Sequence, residues 1–243
     1  MKHVKSLFSK CVYILLLCTF FYAGYQLVLY GNEEIRIYRV EKQLTEEREK
    51  LAETGYDFKP LRKKNADTAA WLRIEGTSID YPIVQASENE FYLNHDFNKN
   101  KSKAGSIFMD CRNGQDLEDR NTILYGHNMK NGTMFRDLNN YGDYTFLHDH
   151  RYIELYTGSF VYTWEIFSTY RTGTDFNYLL IEFSSSEDFY SYIDTVAAKS
   201  QFELNENLKS TEQVLTLSTC SGGSGDMRRV VHARLIGKEK LPL

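Results

Sequence analysis

Residues 11 to 30, CVYILLLCTFFYAGYQLVLY, run for 20 positions without a charged side chain. That is about the length a helix needs to cross the hydrocarbon core of a bilayer. The segment divides the chain into parts that meet different solvents. Lys2, Lys5 and Lys10 form a basic flank over residues 1–10, which the asymmetry of positive charge assigns to the cytoplasm. Everything after Tyr30 then belongs outside. A cleaved signal peptide shares the basic start and apolar centre and is the competing reading. The anchor is favoured because the apolar run is long and no small-x-small cleavage pattern follows before Asn32. The expected order is a flank at 1–10, an anchor at 11–30, a helical stalk and lead-in at 31–68, and a folded domain at 69–243.

The stalk reads NEEIRIYRVEKQLTEEREK from Asn32, with Ile35, Tyr38, Val40 and Leu44 at loosely helical spacing among charges. The chain has 243 residues, 42% of them hydrophobic, enough for one sizeable core beside this appendage. Net charge is -4 overall, and removing the three flanking lysines leaves the remainder at -7. A mildly acidic domain without a dense Lys/Arg face excludes nucleic acid as an expected partner.

From Ala69 the pattern changes. AAWLRIEGTSIDYPIVQ alternates across a Gly76-Thr77 turn, as two short strands do. Six further strand-like segments follow: 105–110, 121–126, 151–156, 159–170, 214–219 and 229–236. Several short strands separated by turn residues predict a β-barrel or sandwich. Two helical stretches interrupt them. Thr133 to Leu138 suits a single turn, while Ser185 with Asp188 resembles an N-cap for a helix whose stripe is Phe189, Ile193, Val196 and Ala197.

Of the cysteines at 11, 18, 111 and 220, only the last two fall in the exported part. Two readings of Cys220 follow: a disulfide with Cys111, or a reactive thiol. Strand parity in VLTLSTC puts Val214, Thr216, Ser218 and Cys220 on one face, and the glycine-rich SGGSGD follows immediately. A cysteine nucleophile needs a base or cation nearby. His3 lies before the anchor, and His148 and His150 read as a solvated, aspartate-rich turn. His95, His127 and His232 remain. His127 stands where the apolar strand TILYG breaks into a loop, while His232 shares a strand face with Arg228, Val230 and Arg234; spacing alone does not choose between them. Arg228, on the polar parity of its strand, is a better thiolate partner than Arg229 and suits an oxyanion. No CxxC or tight His/Cys cluster suggests zinc.

TLSTC at 216–220, YGHN at 125–128 and RRVVHA at 228–233 together resemble the sortases, class B in particular. WLRIEGTSIDYPIVQ at 71–85, the run from YLNHDF to AGSIFMD over 92–110, and a helix inserted near 186–200 before the cysteine strand resemble that class too. The likeness spans about residues 69 to 237. It implies a mainly β fold, an eight-stranded barrel with N-terminal helices, whose groove holds a peptide sorting signal. By the same resemblance Cys220 attacks the threonine carbonyl of an NPxTx-like motif to give a thioacyl enzyme. His127 serves as acid and then base, and Arg228 holds substrate and oxyanion. Implied substrate contacts are Asn89, Leu93, Thr174, Tyr178, Leu179 and Ser218. Implied partners are sorting-signal peptides of surface proteins, a cell-wall precursor or peptidoglycan amine, and the membrane, with no cofactor and no metal. The chain departs from the family in its paired arginines and in its glycine-rich loop after Cys220. Two alternatives stay open: a membrane-tethered thiol hydrolase, and a non-catalytic binding module stapled by Cys111–Cys220.

Overall fold

A computed structural model describes residues 2–173, 175–204, 208–220 and 227–241. The chain divides into two compact units, Met1–Gln43 and Leu44–Leu243. The first is made by helix α1 (Lys2–Glu53). Its 18-residue apolar window has mean hydropathy 1.8, none of it buried, and the helix is long enough to cross a membrane. Within the second unit, the closing turns of α1 bury Leu44, Glu47 and Leu51, and Glu47 takes Lys64 at 2.6 Å. Lys64 ends α2 (Lys59–Lys64), which opens on Pro60 in its first turn, where a missing N–H costs nothing.

Eight strands follow: β1 (Thr68–Arg73), β2 (Asp80–Val84), β3 (Ile107–Met109), β4 (Asn121–Gly126), β5 (Tyr152–Tyr156), β6 (Phe160–Thr172), β7 (Val214–Cys220) and β8 (Arg228–Lys240). They close into one barrel in the order β1-β2-β3-β4-β7-β8-β6-β5, so of the two architectures the sequence allowed, the barrel forms. β1 and β2 pair antiparallel around the expected turn. β6 is long because it pairs with both β5 and β8, and its bulges bend it around the barrel. Two neighbouring pairs, β2/β3 and β4/β7, are parallel. Parallel neighbours require long crossovers. The first crossover carries α3 (Glu90–Leu93). The second contains β5, β6 and the inserted helix α5 (Ser186–Ala198).

Ser185 caps α5 by accepting from the Asp188 N–H, and Phe189, Ile193 and Val196 are buried as the stripe predicts, with Ala197 partly buried. They pack with Phe167, Tyr170, Tyr178, Tyr192, Val214 and Val230, so α5 covers the outer face of β6, β7 and β8. Val214, Thr216 and Ser218, which share one face of β7, are all buried. The short turn expected at 133–138 falls slightly later, as a 3-10 helix at Arg136–Gly142. The solvated turn expected at His148 and His150 is corrected in part: His148 is exposed but lies in α4 (Tyr144–Asp149), which starts where Asp143 accepts from the Phe146 N–H, and His150 forms the turn that ends it.

Candidate active site

Topology gathers three distant sequence segments at one end of the barrel. In the parallel pair, Gly126 stands beside Thr219, so β4 gives way to His127 where β7 reaches Cys220. β8 enters antiparallel with Arg228 opposite residue 220. Arg229 takes the other parity: it is buried, and its guanidinium donates to Gln201 Oε1 at 3.3 Å. The turn from β4 into His127 depends on a residue without a side chain, since a β-carbon at Gly126 would lie 2.9 Å from the Phe135 ring.

A pocket of about 270 Å³ opens at this end. Leu93, Phe108 and Tyr125 give it apolar walls, and Asn89, Glu90, His127, Ser218, Thr219 and Arg228 supply polar groups. Five of the expected site residues, Asn89, Leu93, His127, Ser218 and Arg228, thus share one cavity. Asn89 is anchored by accepting the Cys111 N–H at 2.8 Å. Tyr178 and Leu179 stand behind the wall. The Tyr178 hydroxyl is 2.8 Å from Ser218 Oγ, and Leu179 packs against the α5 core. Thr174 lies outside the described residues, as do residues 221–226, where the sequence leads one to expect a glycine-rich loop, and the Cys220 side chain is not described.

His127 Nε2 lies 2.7 Å from the carbonyl oxygen of Leu93. A carbonyl only accepts, so Nε2 carries a proton and Nδ1 is the nitrogen left to exchange one. His232, its competitor in the sequence, is fully buried. Its Nδ1 lies 2.9 Å from Thr216 Oγ1, which itself donates to Asn121 Oδ1, and Nε2 lies 2.8 Å from the Tyr170 hydroxyl. The neutral ring is satisfied on both sides, and burial pushes its pKa from 6.5 down to about 3. His95 is tied to the Phe91 carbonyl at 2.7 Å and stacks on that ring.

Tyr125, which the sequence reading passed over although it precedes Gly126 in the YGHN motif, is fixed from behind. Its hydroxyl donates to Asp110 at 2.8 Å, and Arg112 grips the same carboxylate twice at 2.8 Å. Burial alone would raise the Asp110 carboxyl. The Arg112 and Tyr125 hydrogen bonds outweigh it and hold the carboxyl below its ordinary range. Cys111 carries a free, exposed thiol. The Cys111–Cys220 staple of the binding-module alternative is therefore not formed. Among the described residues, no group of three or more His, Cys, Asp or Glu side chains is placed to hold a metal ion.

The Sortase domain family matches residues 72–236. Sortase B of Listeria monocytogenes is 35% identical over 97% of this chain and 99% of its own length. Sortase B of Staphylococcus aureus is 33% identical over 86% and 92% respectively. The solved structure of the Staphylococcus aureus sortase B–substrate complex superposes with a TM-score of 0.76 and 32% identity, covering 83% of this chain and 98% of that one. Fold and sequence agree over most of the chain, and the chain belongs to the sortase family, class B, whose members are cysteine transpeptidases that cleave sorting signals and transfer the acyl fragment to a cell-wall amine.

Proposed function

We propose that Cys220, His127 and Arg228 carry the transpeptidation, on a peptide whose motif is NPxTx-like. The observation that carries this reading is the strand register, with 126 beside 219 and 220 opposite 228 around one pocket. The Cys220 thiolate attacks the threonine carbonyl. The Arg228 guanidinium stabilises the oxyanion, a contact of a kind worth on the order of 10² to 10³ in rate. As the tetrahedral intermediate collapses, its C–N bond breaks and His127 gives the Nδ1 proton to the leaving amine, leaving a thioester. An acceptor amine then attacks the thioester carbonyl, its proton passes to Nδ1, and the thiolate departs as the new amide forms. Asn89, Leu93 and Ser218 line the groove for the motif, and Tyr178 and Leu179 support it from behind.

In this reading residues 11–30 of α1 anchor the enzyme in the membrane, 1–10 stay cytoplasmic, 31–68 form stalk and lead-in, and 69–243 form the catalytic domain outside. Its partners are surface proteins bearing sorting signals and a cell-wall precursor or peptidoglycan amine. The apolar, unburied face of α1 and its basic flank support this arrangement.

The test is incubation of the full chain, in detergent micelles, with peptides of varied motif and an amine acceptor, read by mass spectrometry. Cleavage after threonine with transfer to the amine is expected, and lost in His127→Ala. A product carrying water instead of the amine identifies the hydrolase. Neither cleavage nor transfer across all motifs refutes the proposal.

A further inference from the structure

The catalytic histidine is oriented by a backbone atom, and that atom depends on a glycine outside the pocket. The chain after α3 turns back on itself, and the loop at 102–106 ties off the carbonyls on either side of Leu93. Ser106 N–H donates to the Tyr92 carbonyl, Ser102 N–H to that of Asn94 (both 2.9 Å), and Ser106 Oγ to that of His95 at 2.9 Å. The Leu93 carbonyl is the acceptor in this run that faces His127, at 2.7 Å. An α-helix leaves its last carbonyls without helical partners, and here one of them holds an imidazole.

Gly105 sets how closely the loop can approach. It is buried, with φ of +59°, and a β-carbon there would lie 2.6 Å from the Tyr92 oxygen and 2.7 Å from the Leu93 oxygen. Both atoms are backbone and cannot swing aside as a side-chain tip would. A methyl group at 105 has to move the Leu93 carbonyl or the loop. We propose that Gly105 is a positioning residue for His127: its missing side chain lets the 102–106 loop seat flush on the end of α3, which aims the Leu93 carbonyl at Nε2 and leaves Nδ1 for proton transfer. The inference rests on His127 acting as acid and base.

The experiment uses the full chain in micelles, labelled with ring-15N histidine and carbonyl-13C leucine. In the wild type, Nε2 of His127 should show the protonated tautomer, and the Leu93 carbonyl resonance should move as His127 titrates. In Gly105→Ala that tautomer preference and that coupling should be lost, with kcat falling on the order of 10²-fold and KM changed by less than about threefold. Gly76→Ala is the control. It has a comparable φ of +75°, and its β-carbon meets the His150 ring away from the pocket. It should lose stability while keeping kcat. A Gly105→Ala enzyme with wild-type kcat and tautomer overturns the proposal. If Gly105→Ala does not fold, the wild-type spectrum decides alone: a Leu93 carbonyl indifferent to His127, or a His127 protonated at Nδ1 in its neutral form, overturns it too. Full transfer by His127→Ala would instead sink the assigned role of His127 itself, so the two failures are told apart.

Discussion

Replacing His232 with glutamine should flatten the acid limb of the protein's stability curve. The neutral ring is fully buried between Tyr170 and Thr216, and burial pushes its pKa from 6.5 to about 3. Between those two values the unfolded chain binds a proton at this position that the folded chain refuses. Stability therefore falls as pH drops through 6.5 and continues to fall until about pH 3. At about 1.4 kcal/mol per pH unit, the whole gap is worth about 5 kcal/mol. At pH 5 the unfolded histidine is mostly protonated and the folded one is not, which costs about 2 kcal/mol relative to pH 7. Glutamine does not titrate. Its own penalty, about 1 to 3 kcal/mol from an imperfectly partnered hydroxyl, is the same at both pH values. Denaturant unfolding of both proteins at pH 7 and pH 5 measures the difference. The wild type should lose about 2 kcal/mol more than His232→Gln over that interval. Parallel losses would refute the assignment of a neutral, structural His232.

Other outcomes follow from the same geometry. Ser185→Ala removes the side chain that caps α5 and should cost about 1 kcal/mol, read as a melting temperature lower by about 2 to 4 °C, with KM for a sorting peptide little changed. Arg228→Ala should lower kcat/KM on the order of 10² to 10³-fold in the peptide transfer assay. Arg229→Ala, which removes a buried guanidinium pointing away from the pocket, should reduce stability more than kcat. Cys111→Ser should retain full transfer, because Cys111 is a free surface thiol, and alkylation of the wild type at Cys111 should be detectable by peptide mapping.

Eight strands were legible because short apolar, β-branched or aromatic runs stand between turn residues, and α5 because a serine cap precedes an apolar stripe. Parity also separated Arg228 from Arg229, since a strand's two faces are set by neighbours in sequence. Choosing between His127 and His232 was beyond local pattern. Both sit on or beside apolar strands, and only the parallel pairing of β4 with β7, distant in sequence, brings the strand end before 127 beside the residue before 220, while Tyr192 of α5 covers 232. Helix α4 was missed because its aspartates and histidines look like loop. The Asp143 cap is local, but the packing of the Phe146 ring on Tyr141 and the bond from His150 to the Glu75 carbonyl come from tertiary structure. The Leu93 carbonyl was invisible for a simpler reason: every residue has one, and only its place in space makes it a partner for a histidine.

The central claim, that Cys220 forms the acyl enzyme, is tested most directly by intact-protein mass spectrometry of the full chain quenched during turnover with a sorting peptide. A thioester adduct of the peptide's N-terminal fragment, mapped to Cys220, released by hydroxylamine and absent from Cys220→Ala, is the predicted result. Amide product formed at undiminished rate by Cys220→Ala, or an adduct mapping to Cys111, would contradict it.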